Sequence, residues 1–369
     1  MVLSIFSVDN IIVAVFVLTV FVQLYVYLRY FLPFSLYQAV GVLKEKQPFV
    51  SVIIASKNEA ENLQRNLPLI LNQDYPDFEV IVVDDHSTDE TASFLQSVSH
   101  SKLQLHRLYD ESGKKAAIQK GIEKAQYDRL IFIDADCRPK TTYWLRLMSE
   151  KLIDKKSIVL GYAPYYIEKT ILNKLIRFET FVTAVQYFSA ALIGKPYMGV
   201  GRNLAYTKAV YKESTAFQKH GDIISGDDDL LVNEMSRKSS VAICTQMEAH
   251  SISKATETWK GYFYQKRRHL QAGTRYLRND RFRLAIYGIA QLLFWITFFF
   301  LLFSNLVNPF ILSIFVLKLM FQFLLYGNIM RKLGERDLLW AIPFLEIIHL
   351  VTISFIGAST WVKKVDRWK

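Results

Sequence analysis

The chain has 369 residues, 51% of them hydrophobic and 21% charged, with a formal charge of +11, which is enough length for one large or two ordinary domains. Two cysteines, Cys137 and Cys244, exclude a disulfide framework. No aromatic-rich RNA motif or zinc spacing accompanies the basic excess, so nucleic acid is not an expected partner, and the basic residues flanking apolar segments fit an anionic lipid surface instead.

The first apolar stretch, "IIVAVFVLTVFVQLYVYLRYFLPF" (11–34), carries no charge before Arg29 and is long enough for a bilayer span. Residues 1–10 hold no Lys or Arg and no small-residue cleavage site follows, so a retained anchor is expected over residues 1–34. Arg29, Lys44 and Lys46 follow it, which places the middle of the chain on the cytoplasmic side.

From about residue 48 to 282 strand and helix patterns alternate. "FVSVIIAS" (49–56) and "FEVIVVDD" (78–85) are β-branched runs, "LQLHRLY" (103–109) alternates, and "RLIFIDAD" (129–136) is a fourth strand. Helical spacing in "KNEAENLQRNLPLILNQ", "DETASFLQSV" and "KKAAIQKGIEKA" separates them. Such alternation predicts an α/β domain on a parallel sheet, whose ligands bind at the carboxyl ends of the strands. Ser56 with Glu59, and Ser87 with Glu90, have the spacing of capping boxes. Capping leaves Asp84, Asp85, Asp134 and Asp136 unexplained. Carboxylates this close raise each other's pKa unless a cation holds them. No G-x-G-x-x-G follows the first strand and "GKK" (113–115) lacks a P-loop's upstream glycine, so a diphosphate here needs another neutraliser. Mg2+ or Mn2+ on Asp136, with Asp134 beside it, supplies one. The apolar-rich stretch 173–194 is expected either along the membrane surface or as a core helix.

Three more apolar segments follow, at about 284–303, 306–326 and 338–357, so residues 284–369 are expected to form about three membrane helices. Lys318 lies inside the second and is expected to face protein or to snorkel. The third contains Glu346 and His349 and precedes the basic "WVKKVDRWK", which favours an interfacial or re-entrant course.

Taken together, "VSVIIASKNEAENL", "FEVIVVDDHSTDET", "GKKAAIQKGI", "LIFIDADCRP", "GVGRNLAY", "SGDDDL" and "QKRRH" resemble the inverting family 2 glycosyltransferases with the GT-A fold, of the membrane-anchored bacterial type. The resemblance covers about residues 49–270. It implies a nucleotide-sugar donor, a UDP-sugar foremost, a Mg2+ or Mn2+ cofactor, a lipid or lipid-linked acceptor, and a catalytic domain on the cytoplasmic face of the inner membrane. Asp85 would contact the base, Glu59 the ribose or base, and Lys114 the nucleotide side. Asp134 and Asp136 match the D-x-D of the metal and diphosphate site. "GDDDL" resembles the G-E-D motif, which makes Asp228 or Asp227 the general base. "QKRRH" resembles Q-x-x-R-W, so Gln265 and Arg268 would face the donor, while His269 in place of Trp puts acceptor-sugar stacking in doubt. Arg202 and Asn203 would reach the acceptor or a donor phosphate. A membrane-bound sugar nucleotidyltransferase and an inactive GT-A scaffold are the alternatives.

Overall fold

The computed structural model describes residues 8–39, 47–221, 223 and 226–360. Lys44, Lys46, Ser225 of "SGDDDL" and the tail 361–369, all used above, lie outside the described residues.

The β-branched runs become β1 (Val50–Ser56), β2 (Phe78–Asp84), β3 (Leu103–Arg107) and β4 (Arg129–Phe132), which pair in parallel in the order β3-β2-β1-β4. β1 and β2 are buried on both faces, as strands covered by helices on each side must be. Full burial of side chains such as Val80, Ile81 and Val82 contributes about 1.5–3 kcal/mol each. β4 ends at Phe132, so Asp134 and Asp136 leave the sheet in a turn. That turn leads into β5 (Cys137–Pro139). The sheet continues through β7 (Leu204–Thr207), antiparallel to β4 and to β6 (Ser157–Gly161), and ends on β8 (Ser240–Cys244), parallel to β6. β5 pairs separately with β9 (Ser251–Ser253) and so ties the acidic turn to the segment before "QKRRH".

Neither expected capping box forms. The helix after β1 starts at Ala60 and the helix after β2 at Thr91, with Glu59 and Glu90 as caps that make no side-chain cap bond. The two loops satisfy each other's amides instead. Ala60 N–H donates to Asp89 Oδ2 (3.2 Å), Glu59 N–H to Thr91 Oγ1 (2.8 Å), Asn58 N–H to Ser87 Oγ (2.9 Å), and Thr88 N–H to Asn58 Oδ1 (2.8 Å). Asn58 and His86 take left-handed backbone conformations, with φ of 54° and 52°, to make the turns.

Ile171–Leu192 is a core helix rather than a surface one, buried along nearly its whole length. It sits inside one continuous apolar core that joins Ile53, Ile81 and Leu160 of the sheet to Tyr27, Phe31 and Phe34 near the N-terminus and to Tyr326 and Leu345 near the C-terminus. The opposite sheet face packs Val52, Val82, Leu63, Leu67 and Trp144.

Four helices, Val8–Leu36, Arg278–Phe303, Pro309–Leu333 and Arg336–Ser359, are long and apolar enough to cross a membrane. Of the two courses expected for the last segment, the re-entrant one is revised, because Ile342–Thr360 is an uninterrupted helix. Glu346, one of the charges that argued against its insertion, is answered by Lys318 of the preceding segment. Lys318 Nζ lies 3.3 Å from Glu346 Oε2 and 2.8 Å from Gln322 Oε1, and Gln291 Nε2 donates to Glu346 Oε1 at 2.9 Å. Lys318, Gln322 and Glu346 are fully buried, so Lys318 faces protein and does not snorkel.

Candidate active site

Loops at the carboxyl ends of the parallel strands carry the predicted acids. Asp85 follows β2 and is fully buried. Its Oδ2 accepts from Lys57 Nζ (3.2 Å) and from the Gly113 amide (2.9 Å), and its Oδ1 meets His86 Nδ1 at 3.1 Å. Gly113 has φ of 101°, a conformation that favours glycine, and it turns its N–H onto Asp85 at the start of the helix Lys114–Lys124. The Asp85 carboxylate shifts the half-buried His86 imidazole above its ordinary value. Asp84 is occupied by the loop itself, accepting from Ser87 N–H (3.3 Å) with Arg107 Nε at 3.5 Å. Glu59 is buried, and its Oε2 accepts from Asn62.

One residue after Gly113, Lys114 Nζ donates to Asp134 Oδ1 at 2.7 Å. Burial opposes the ammonium charge, but Asp134, Asp227 and Asp228 outweigh it and hold Lys114 well above the ordinary lysine value. Burial pushes Asp134 up, and Lys114, with Arg202 and Arg268 further off, brings it below the usual carboxylate range. Asp136 is raised by burial and by the Asp134 charge. The Arg202 guanidinium sits 4.2 Å from the Tyr165 ring centroid, with its N–H groups on Ser253 Oγ (2.7 Å) and the Ala163 carbonyl (2.8 Å), and its charge lowers both Asp134 and Asp136.

The triple acid opens the helix Asp229–Met235. Asp228 Oδ1 accepts from its own helix at the Asp229 amide (2.9 Å), and Oδ2 accepts the Gly201 amide at 2.5 Å. A Cβ on Gly201 would stand 3.0 Å from that same oxygen, so the glycine of "GVGRN" is what lets this loop approach the carboxylate. Asp227 is buried and pushed up to about 6, by burial first and by Asp228 and Asp134 after it, against the pull of Lys114. Asp229 is driven well above its ordinary value by burial and by Asp228, and accepts a hydrogen bond from Tyr276 Oη at 2.8 Å.

Lys114, Asp134, Gly201, Asp227 and Asp228 line one cleft of about 350 Å3 over the ends of β1 and β4. Asp85, Glu59, Asp136, Gln265 and Arg268 stand outside its walls. Asp136 and Arg268 reach it electrostatically through Asp134. Gln265 Nε2 meets Tyr165 Oη at 3.5 Å, under the Arg202 stack. Asn203 does not face the cleft: it accepts from Trp144 Nε1 (2.9 Å) and donates to the carbonyls of Tyr162 and Ala249 (2.8 Å each). Sequence reasoning missed Lys57 and Tyr276. Lys57 was detectable as the sole cation in "ASKNEAEN", whereas nothing local marks Tyr276.

Among the described residues no group of three or more His, Cys, Asp or Glu is arranged to hold a metal ion. Asp134 and Asp136 still fit a hard divalent cation. They offer oxygen donors only, and the raised Asp136 marks an acid pair whose neighbouring cations leave it under-compensated. The other ligands of such an ion would be diphosphate oxygens and water.

A family model described as "Glycosyl transferase family 2" matches residues 51–213. The chain is 41% identical over 96 residues to the glycosyltransferase AglE of Haloferax volcanii, covering 25% of this chain and 32% of that protein. It is 32% identical over 88 residues to the poly-beta-1,6-N-acetyl-D-glucosamine synthase of Staphylococcus epidermidis, covering 24% and 21%. The chain thus spans about a third and a fifth of these curated relatives. Among solved structures, the mannosyltransferase PcManGT from Pyrobaculum calidifontis, in complex with GDP-Man and Mn2+, superposes with a TM-score of 0.60 at 15% identity, covering 96% of this chain and 99% of that one.

Proposed function

We propose, from the premise that this chain belongs to glycosyltransferase family 2 and has its GT-A fold, that it is a membrane-bound enzyme moving a sugar from a nucleotide-sugar donor to a lipid or lipid-linked acceptor with inversion. The observation that carries this reading is the meeting of Asp134, Asp227 and Asp228, from segments about 90 residues apart in sequence, around Lys114 in one cleft. A hydrolase needing only two acids has no use for Asp85 and its polar cage at the next strand end.

The donor, a UDP-sugar foremost, lies across the strand ends. Asp85, fixed by Lys57 and the Gly113 amide, presents a carboxylate to the base, with Glu59 on the ribose side. Asp136 and Asp134 would hold Mg2+ or Mn2+, and the ion would supply positive charge to the departing diphosphate. Lys114 and Arg268 draw the diphosphate from the protein side, and Gln265 lines the same approach. Asp228, steadied by Gly201 and its own helix, takes the acceptor hydroxyl's proton. The acceptor oxygen bonds the anomeric carbon from the face opposite the diphosphate, which leaves with the electron pair, so a single displacement inverts the centre. Asp227 is a second reading for the base, favoured by its pKa of about 6, close to operating pH. Four apolar helices support a membrane site of action, and the basic residues before 284 and after 326 support a cytoplasmic catalytic face on a bacterial inner membrane.

The test is transfer from radiolabelled nucleotide sugars by the full chain in detergent with Mn2+ or Mg2+. Asp136→Ala abolishes metal-dependent donor binding. Asp228→Asn keeps donor binding and lowers turnover by about 10²–10⁴. If Asp228→Asn turns over normally and Asp227→Asn does not, Asp227 is the base. Pyrophosphate release in place of a nucleoside diphosphate overturns the transfer reading in favour of a nucleotidyltransferase.

A further inference from the structure

We propose that the groove between the N-terminal helix, the helix Ile171–Leu192 and the helix Arg278–Phe303 seats the acceptor as a lipid with a phosphate between its tail and its reacting hydroxyl; this rests on the transfer reading above. The groove holds about 340 Å3, and Tyr30, Phe31, Tyr197, Leu284 and Tyr287 surround a single cation, Arg283. The guanidinium lies 5.7 Å from the Tyr30 ring centroid and 5.3 Å from that of Tyr197. Its Nη2 is 3.2 Å from Asp280 Oδ1, but Asp280 also takes Arg237 at 3.5 Å. Two guanidiniums against one carboxylate leave positive charge at the groove, and exposed Arg278 and Arg281 add to it. Phosphate is the group that a guanidinium among aromatic rings recognises best.

The apolar walls choose a lipid over a free anion. Tyr25, Leu28, Phe282 and Ile286 are exposed on two of the three helices that form the groove, so a tail leaving it meets apolar surface and not water. The N-terminal helix widens into a π-turn over Tyr27–Phe31, at the wall that carries Tyr30 and Phe31, and such turns recur at functional sites. The groove also communicates with the cleft. The Tyr197 and Tyr276 rings meet edge to face at 5.8 Å, Tyr276 Oη donates to Asp229 Oδ2, and Asp229 follows Asp228. Asn233, on the helix that begins with these acids, donates to the Tyr197 carbonyl (2.9 Å) and to Asp280 Oδ2 (3.2 Å).

Native mass spectrometry of the full chain in detergent, with dodecyl phosphate as probe, tests this. One adduct per chain is expected, weakened at least about tenfold by Arg283→Gln and by Leu284→Trp, and weakened less by Arg283→Lys, which keeps the charge but loses the planar fork. Dodecanol and inorganic phosphate are each expected to bind at least about tenfold more weakly than the ester. Equal retention by Arg283→Gln and Leu284→Trp overturns the proposal, as does dodecanol or inorganic phosphate binding as tightly as the ester. Should Arg283→Gln fail to fold for want of its Asp280 partner, Leu284→Trp decides alone, because it fills the groove without touching the ion pair. Lack of turnover with every donor refutes the transfer reading but leaves this binding measurement intact, so the two failures are distinguishable.

Discussion

Gly201→Ala is a small change aimed at the proposed base. The new Cβ would stand 3.0 Å from Asp228 Oδ2 and 3.4 Å from its Cβ and Cγ. Ordinary contact begins at 3.4 Å, so either the loop or the carboxylate must give by about 0.4 Å. Gly201 is not among the residues with positive φ, so alanine fits its backbone and the strain falls on the contact. Misplacing a reacting group by about 1 Å costs about 10²-fold in rate, which scales here to a loss of about 5- to 10-fold in kcat. The proposed donor position lies on the other side of Asp134, so donor affinity is expected to hold within twofold by isothermal calorimetry. Steady-state kinetics on the full chain in detergent, at saturating donor, reads the effect. A kcat within twofold of the unaltered chain, with the expected fold intact by thermal unfolding, refutes the idea that the Gly201 loop positions the base.

Three further outcomes follow from the charges. Asp227 is raised in the folded state from 3.8 to about 6, so the folded chain keeps the proton that the unfolded chain loses between those values. Stability from this group is therefore present below pH 3.8 and lost as pH rises towards 6, and Asp227→Asn should stabilise at pH 7.5 by about 1–3 kcal/mol with little gain at pH 4, as read by thermal unfolding at the two pH values. An equal gain at both pH values refutes the assignment. Lys114→Met removes the partner 2.7 Å from Asp134 and is expected to weaken the donor at least about tenfold in a binding titration. Glu346→Gln or Lys318→Met alone should each destabilise by about 3–5 kcal/mol, while the double Met substitution recovers most of it; additive losses would show that the pair is not coupled.

The parallel half of the sheet was legible because β1, β2 and β4 are uninterrupted β-branched runs, and burial on both faces demands that pattern. The antiparallel half was not. β7 has four residues and β9 three, too short to show a period, and their partners come from the far side of the chain. The S-x-x-E spacing misled because the amides it predicts to be capped within one loop are satisfied from the neighbouring one, a solution visible only once β1 and β2 lie side by side. Lys318 and Glu346 each looked misplaced in an apolar segment, since 28 residues separate two charges that folding brings together. At the site, Asp134 and the triple acid carried their own signal in clustered like charges. The cations that temper them, Lys114, Arg202 and Arg268, come from three separate segments, and only the motif resemblance pointed each towards the donor or acceptor.

The apolar core that runs without a break from Ile53 to Leu345 has a practical corollary. A fragment trimmed to residues 48–282 would leave Phe188 and Phe181 facing solvent where Phe34 and Tyr326 now cover them. Nor is the sheet a bead swinging on a tether. Arg177 clamps both Glu335 and Asp337 at 2.6 Å, so the helix beneath the sheet and the entry to the last long helix tilt as one body. The distance from the cleft to the long apolar helices is accordingly built into the architecture, like the fixed reach of a crane whose mast and jib are cast in one piece.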